Sequence, residues 1–158
     1  MTINELVELL EGDLANEYAH WHFYMQAATN VRGLHRQELS EFFLEQATGE
    51  MKHVEEFRRL IRGLKTRKQI PWTAELAVAE FPQNLTCPIA LLEAALEMEN
   101  QVVSNYVLRH SQAEGLAASS SDHVADATYI ALFLEDQILD SRGDADNILE
   151  MLQGIDRM

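Results

Sequence analysis

Four long stretches of the chain repeat apolar residues every three to four positions, and each interrupts its apolar stripe with a carboxylate, an imidazole or an amide. A stripe of that period marks the helix face that turns toward a core. In the first stretch Leu6, Leu9/Leu10, Leu14, Tyr18, Trp21, Tyr24/Met25 and Ala28 share the stripe with Glu17, between a Thr2/Glu5 capping pattern and Gly33. The second, Leu39, Phe43, Ala47, Val54, Phe57 and Leu60/Ile61, carries Glu50 and His53 and is expected to stop at Gly63. Each run is about 30 residues, or roughly 40 Å of helix, far above the globular mean of about 11 to 12 residues. Helices of that length pack side by side as a bundle.

Residues 64–87 break the pattern. They hold Pro71 and Pro82, the cations Lys65, Arg67 and Lys68, and the scattered hydrophobes Ile70, Trp72, Leu76, Val78 and Phe81, expected to lie against the bundle. An antiparallel four-helix bundle with one crossover requires a long connection at this place, between its second and third helices. A third helix follows, with Thr86 as its cap, Pro88 in its first turn, and Ile89, Leu92, Leu96, Glu99, Val103, Tyr106 and His110 on one face up to Gly115. After the small residues 115–121, Ser121 or Asp122 caps a fourth helix bearing Tyr129/Ile130, Phe133/Leu134, Gln137, Asp140/Ser141, Ile148, Leu149 and Leu152, which Gly143 should weaken or bend. Residues 1–158 therefore read as one all-α domain, a four-helix bundle with its crossover at about 64–87.

The polar interruptions bear on function. Glu17, Glu50, His53, Glu99, Gln137 and Asp140 all fall where a core should be. Buried carboxylates without partners cost several kcal/mol each and repel one another, so four of them persist as anions only with cations between them. Two divalent ions balance four carboxylates. Glu50 and His53, at i and i+3, project from one side of a helix and can share a metal. A lone Glu-x-x-His is common by chance; Glu17 alone reads as a solvated edge residue; and Glu99 sits among Glu93 and Glu97, as in an exposed acidic face. The metal reading rests on the combination of four helices, their order and the crossover in the right gap.

Composition fits cations better than anions. The net charge is −14, with Lys and Arg dispersed except over residues 62–68, which opposes nucleic acid or an anionic membrane as the main partner. The single Cys87 makes no internal disulfide, no secretory signal is evident, and no apolar run nears the roughly 20 residues of a membrane span, so the expected compartment is the cytoplasm.

At this point the residues resemble a known family. Glu17, Tyr24 seven residues later, and Glu50-Met51-Lys52-His53 are similar to the first helical pair of ferritins and bacterioferritins. Met98-Glu99 is similar to the ferritin motif in which a hydrophobe precedes a liganding Glu, and Phe133-Leu134-Glu135-Asp136-Gln137 resembles the Phe-Leu-x-Glu-Gln signature with Asp136 in place of Glu. The resemblance implies a ferritin-like bundle holding two Fe ions and oxidising Fe(II) with O2 or H2O2, a ferroxidase serving iron storage or detoxification. It implies metal binding by Glu17, Glu50 as the bridge, His53, Glu99 and the Gln137/Asp140 side, with Glu135 the alternative under a shifted register, and a hydrogen-bonding, electron-donating role for Tyr24. His20 is a candidate accessory ligand, and zinc should compete for the same site. Met51 matches the haem-holding position of bacterioferritins; prokaryotic ferritins without haem also carry Met there, and packing at a subunit contact is the preferred reading. The departures are Gln137-x-x-Asp140 in place of a second Glu-x-x-His, implying a weaker second iron position, and Gly49 before Glu50, where a third iron site would need another Glu. Only 18 residues follow Asp140, which leaves no room for a fifth helix. A homo-oligomer, either a dimer or a shell, is expected. Two other functions compete: a diiron oxidase or peroxidase of rubrerythrin-like or oxygenase-like type, and a bundle with a vestigial site.

Overall fold

The computed structural model describes residues 1–66 and 72–156. They form α1 (Ile3–Asn30), α2 (Arg36–Thr66), α3 (Pro88–Ser119), a 3-10 turn (Ser121–His123) and α4 (Val124–Asp156). The helices pack as two antiparallel hairpins, α1 on α2 and α3 on α4, joined by the crossover into one four-helix bundle. Among the described residues no helix is long and apolar enough to cross a membrane.

The helix starts follow local chemistry, with one exception. Thr2 caps α1, its hydroxyl accepting the Glu5 N–H at 3.1 Å. Gly33, at φ +112°, turns the chain from α1 into α2 through a conformation that favours glycine, and its carbonyl accepts the Arg36 N–H. At α3 the cap is Cys87 rather than Thr86, with Pro88 in the first turn; the Thr86 hydroxyl instead bonds the Asn84 side chain at 3.0 Å. The fourth helix follows the 3-10 turn, which Ser120 precedes without a side-chain cap. Two expected glycine stops are absent: α2 runs through Gly63 to Thr66 and α3 through Gly115 to Ser119; α4 continues past Gly143. A glycine inside a helix costs only about 1 kcal/mol against Ala, which the packing of such long helices outweighs.

The crossover lays only some of its hydrophobes against the bundle. Trp72 packs on the core with the Lys65 ammonium 5.7 Å from its ring, and Phe81 stacks on Phe23 at 5.8 Å. Leu76 and Val78, by contrast, are 70% and 87% exposed, while Ala77, whose N–H donates to the Ala15 carbonyl at 3.4 Å, and Ala79, which packs on the core, are partly buried. Arg67, Lys68, Ile70 and Pro71 lie outside the described residues.

Inside the bundle the core divides in two. One apolar plug gathers around Leu6, Leu10, Leu14, Phe57, Ile61, Tyr106, Ile130 and Leu134. The other gathers around Phe23, Tyr24, Phe43, Leu91, Leu92, Ile148 and Leu152. Between them lies a layer of buried polar groups: Glu17, Glu50, His53, Glu99, Gln137 and Ser141.

Candidate metal centre

Each helix brings its polar residue to this layer because 3.6-residue spacing keeps it in register with the apolar stripe on either side. Glu17 comes from α1, Glu50 and His53 from α2, Glu99 from α3. All four are at most 4% exposed. Two triads of potential ligand atoms result, each with its atoms within 4.8 Å of one another: Glu17, Glu50 and His53, and Glu50, Glu99 and Asp144. Glu50 belongs to both. His53 Nδ1 faces Glu50 Oε2 at 3.3 Å and Glu17 Oε2 at 3.6 Å. His20 stands at the rim, its Nδ1 3.7 Å from Glu17 Oε2.

Two tyrosines hold the outer carboxylates. Tyr24 on α1 donates to Glu99 Oε1 on α3 at 2.7 Å, the position the resemblance implies. Tyr106 on α3 donates to Glu17 Oε1 on α1. This second tyrosine reads in the sequence only as a core aromatic. Its signal was available: Tyr106 follows Glu99 by seven residues, as Tyr24 follows Glu17. Below this level Arg109 clamps the buried Asp13 with two donors, Nε at 2.8 Å and Nη2 at 3.0 Å, fixing α3 to α1.

The residues expected from α4 are distributed differently. Gln137 is fully buried, but its Nε2 donates to Glu56 Oε2 at 2.6 Å, and its Oε1 has no hydrogen-bond partner among the described residues. Asp140 is 54% exposed and lies behind His53, with Oδ2 3.5 Å from Nε2, outside both triads. Glu135 faces away toward His110 Nε2 at 3.6 Å, so the shifted-register alternative places it off the centre. Asp144, which sequence reasoning missed, takes the place beside Glu50 and Glu99. Gln137 and Asp144 are seven residues apart, two helical turns, and that spacing was the available signal. Met51 packs half-buried against the first apolar plug. A cleft of about 390 Å³ between α2 and α4, lined by Lys52, Glu56, Phe133, Asp136, Gln137 and Asp140, reaches this side of the centre.

Electrostatics show how strained the layer is with protons alone. Burial raises Glu50 well above the usual carboxylate range, and the neighbouring Glu17 and Glu99 raise it further. Burial also works against Glu17, but contacts with Glu50, His20 and His53 hold it well below 4.5. Glu99 is pushed by burial to about 7 despite the Tyr24 hydroxyl, and Asp144 by burial to about 6. Burial lowers His53, yet Glu17, Asp140 and Glu56 lift it to about 9. Protons and one imidazolium thus occupy positions where cations would relieve the same repulsion.

The residues fit a pair of divalent cations by an independent mark as well. Among the described residues, Glu17 Oε2 and Gln137 Oε1 are buried and have no hydrogen-bond partner, which is rare for polar atoms in a folded core. Carboxylate oxygens with one imidazole are a donor set for iron and other first-row divalent metals.

Residues 7–127 match the model of the ferritin-like domain. Among solved structures, the chain is 28% identical to a ferritin-like, diiron-carboxylate protein from Bacillus anthracis str. Ames, over 96% of this chain and 99% of that one, with a TM-score of 0.74. Two iron-soaked variants of the protein PmFTN are each 18% identical with TM-scores of 0.69, over 98% and 97% of this chain and 89% and 90% of theirs, a likeness of fold. No match is found among curated protein sequences.

Proposed function

Since the chain belongs to the ferritin-like domain family, we propose that it binds Fe(II) in pairs at the centre between its two apolar plugs and oxidises it there, in the service of iron storage or detoxification. The observation that carries this reading is the shared Glu50, which joins an imidazole-bearing triad to a second, all-carboxylate triad. A carboxylate common to both keeps two irons close enough to deliver two electrons together.

The chain's own groups do the following. Glu17, Glu50 and His53 bind one Fe(II); Glu50 and Glu99 bind the other from opposite helices. Tyr106 and Tyr24 each engage one oxygen of Glu17 and Glu99, which aims the remaining oxygen inward. Proton release by Glu50 and Glu99 accompanies binding, because both are protonated more readily than ordinary carboxyls in the metal-free chain. Oxidation of two Fe(II) ions yields two electrons, which with two protons reduce O2 to H2O2, or H2O2 to two waters. The acidic surface, net charge −14, concentrates Fe(II) around the protein. A homo-oligomer belongs to this proposal, as does a cytoplasmic setting, which suits the free thiol Cys87.

Anaerobic titration of metal-free protein with Fe(II), followed by air, tests the reading. Two irons bound per chain, oxidised quickly and followed by many more, is the expected result. Two irons oxidised once and then stalled would favour an oxidase or peroxidase, and no binding would leave the site vestigial. Mass in solution separates the storage function, which needs a closed shell, from the other two.

A further inference from the structure

The antiparallel register of α2 against α4 sets three residues of α4 opposite three of α2. Gln137 meets Glu56 at 2.6 Å, Asp140 meets His53 Nε2 at 3.5 Å, and Asp144 meets Glu50 together with Glu99. The steps 137, 140 and 144 are helical steps of three and four, running against 56, 53 and 50. Asp140 is therefore one rung short of the residue it would have to accompany to share an ion with Glu50 and Glu99.

From this register we infer that Asp144 is the α4 ligand of the second metal ion, and that Asp140 is a positioning residue which holds His53 from behind. The inference rests on the reading that the centre binds two metal ions. It does not rest on the acidic cluster alone: Glu17 Oε2, in the triad that shares Glu50 with this one, is buried and without a hydrogen-bond partner among the described residues, and so marks a place that protein donors leave unsatisfied.

The two roles follow from what each carboxylate faces. His53 turns Nδ1 to Glu17 and Glu50, so the nitrogen available to Asp140 is the other one. A carboxylate 3.5 Å from Nε2 favours the proton on that nitrogen, the tautomer that leaves the Nδ1 lone pair free for a metal. Asp140, more than half exposed, faces His53 from the solvent side. Asp144 is half-buried and shares its environment with two of the most buried carboxylates in the chain. The two positions then differ in chemistry: the first has one nitrogen and two carboxylates, the second carboxylates alone, with Glu50 common to both.

Co(II), which ranks above Fe(II) in affinity for such sites and is not consumed by air at the same rate, is the probe. Equilibrium dialysis of metal-free protein counts ions per chain, and proton NMR follows the paramagnetically shifted His53 ring. The expected wild-type count is two. Asp144→Asn should reduce it to one while the shifted His53 signal persists, and Asp144→Ala should do the same, so that an effect of the amide is separated from loss of the ligand. Asp140→Asn should keep two ions but weaken the His53-bound one by about tenfold, with Asp140→Glu restoring most of that loss. If both Asp144 variants still hold two ions, or if Asp140→Asn is the variant that holds one, the inference is overturned while the dinuclear reading stands. A wild-type protein that never holds two ends both.

Discussion

Tyr106 on α3 donates its hydroxyl proton to Glu17 on α1, and Tyr24 on α1 donates to Glu99 on α3. Each tyrosine lies seven residues beyond the carboxylate of its own helix and serves the carboxylate of the other. Antiparallel packing makes the exchange possible, since two turns along one helix arrive at the level of the opposite helix's glutamate. The centre is thereby bracketed top and bottom by buried rings that continue the two apolar plugs.

Removing either hydroxyl leaves the ring's packing and frees a carboxylate to rotate. Tyr106→Phe should weaken the ion held by Glu17 and His53, and Tyr24→Phe the ion held by Glu99, each by roughly tenfold. Co(II) affinities resolved by the His53 NMR signal check the assignment: Tyr106→Phe acting on the His53-distant ion alone would break it.

Glu50 is buried at 2% exposure and raised well above its ordinary value by burial and by Glu17. Glu50→Leu, of similar volume, should raise the stability of the metal-free protein by about 1 kcal/mol or more, and should abolish rapid Fe(II) oxidation by removing the carboxylate common to both triads. Thermal denaturation and stopped-flow oxidation measure the two effects. Normal oxidation in this variant would take Glu50 out of the site.

The metal-free protein should lose stability as pH rises. Glu99, at about 7 against 4.5, and Asp144, at about 6 against 3.8, keep protons in the folded chain that the unfolded chain has already released, so stability falls from about pH 4 to 7. His53, at about 9 against 6.5, contributes in full below about pH 6.5 and is lost as pH passes about 9. Glu17 opposes this only in acid, because its depressed value gives stability that is present above about pH 4.5 and disappears as pH falls through its folded value. Tm of the metal-free protein should therefore decline between about pH 5 and 9, and Glu99→Gln should flatten the lower half of that decline. With Zn(II) bound the trend should reverse up to neutral pH, since ligands must shed protons to bind. A Tm that climbs with pH in the metal-free protein would contradict the protonated centre.

Helical periodicity made the bundle, its crossover and four of the ligand candidates legible, because Glu17, Glu50, His53 and Glu99 each sit on an unambiguous apolar stripe. It was weaker where the stripe drifts. On α4 the spacing Gln137-x-x-Asp140 copies the Glu50-x-x-His53 step, yet the helix turns Gln137, Ser141 and Asp144 inward and leaves Asp140 half in water. On α3 the same drift buries Val102 in place of Val103. Helix ends at Gly63 and Gly115 were misplaced because tertiary packing overrides a single residue's propensity. In the crossover, hydrophobicity alone could not tell that the small Ala77 and Ala79 would be partly buried and Leu76 and Val78 exposed.

Zinc tests whether oxidation happens at this centre. It ranks above Fe(II) for nitrogen and oxygen ligands and has no redox chemistry of its own, so it should fill the same positions and stop the reaction. At a free concentration 100 times its Kd, zinc stabilises the folded state by about 2.7 kcal/mol per site, which for a chain of this size raises Tm by roughly 5 to 10 °C. Fe(II) oxidation should fall at least about tenfold once two Zn(II) are bound per chain. The paired readout guards against a trivial result, because Tm reports occupancy independently of rate. A raised Tm with undiminished oxidation would mean that zinc occupies the bundle while iron is oxidised elsewhere on the protein; a raised Tm with oxidation lost in proportion to occupancy places the chemistry between Glu17, Glu50, His53 and Glu99.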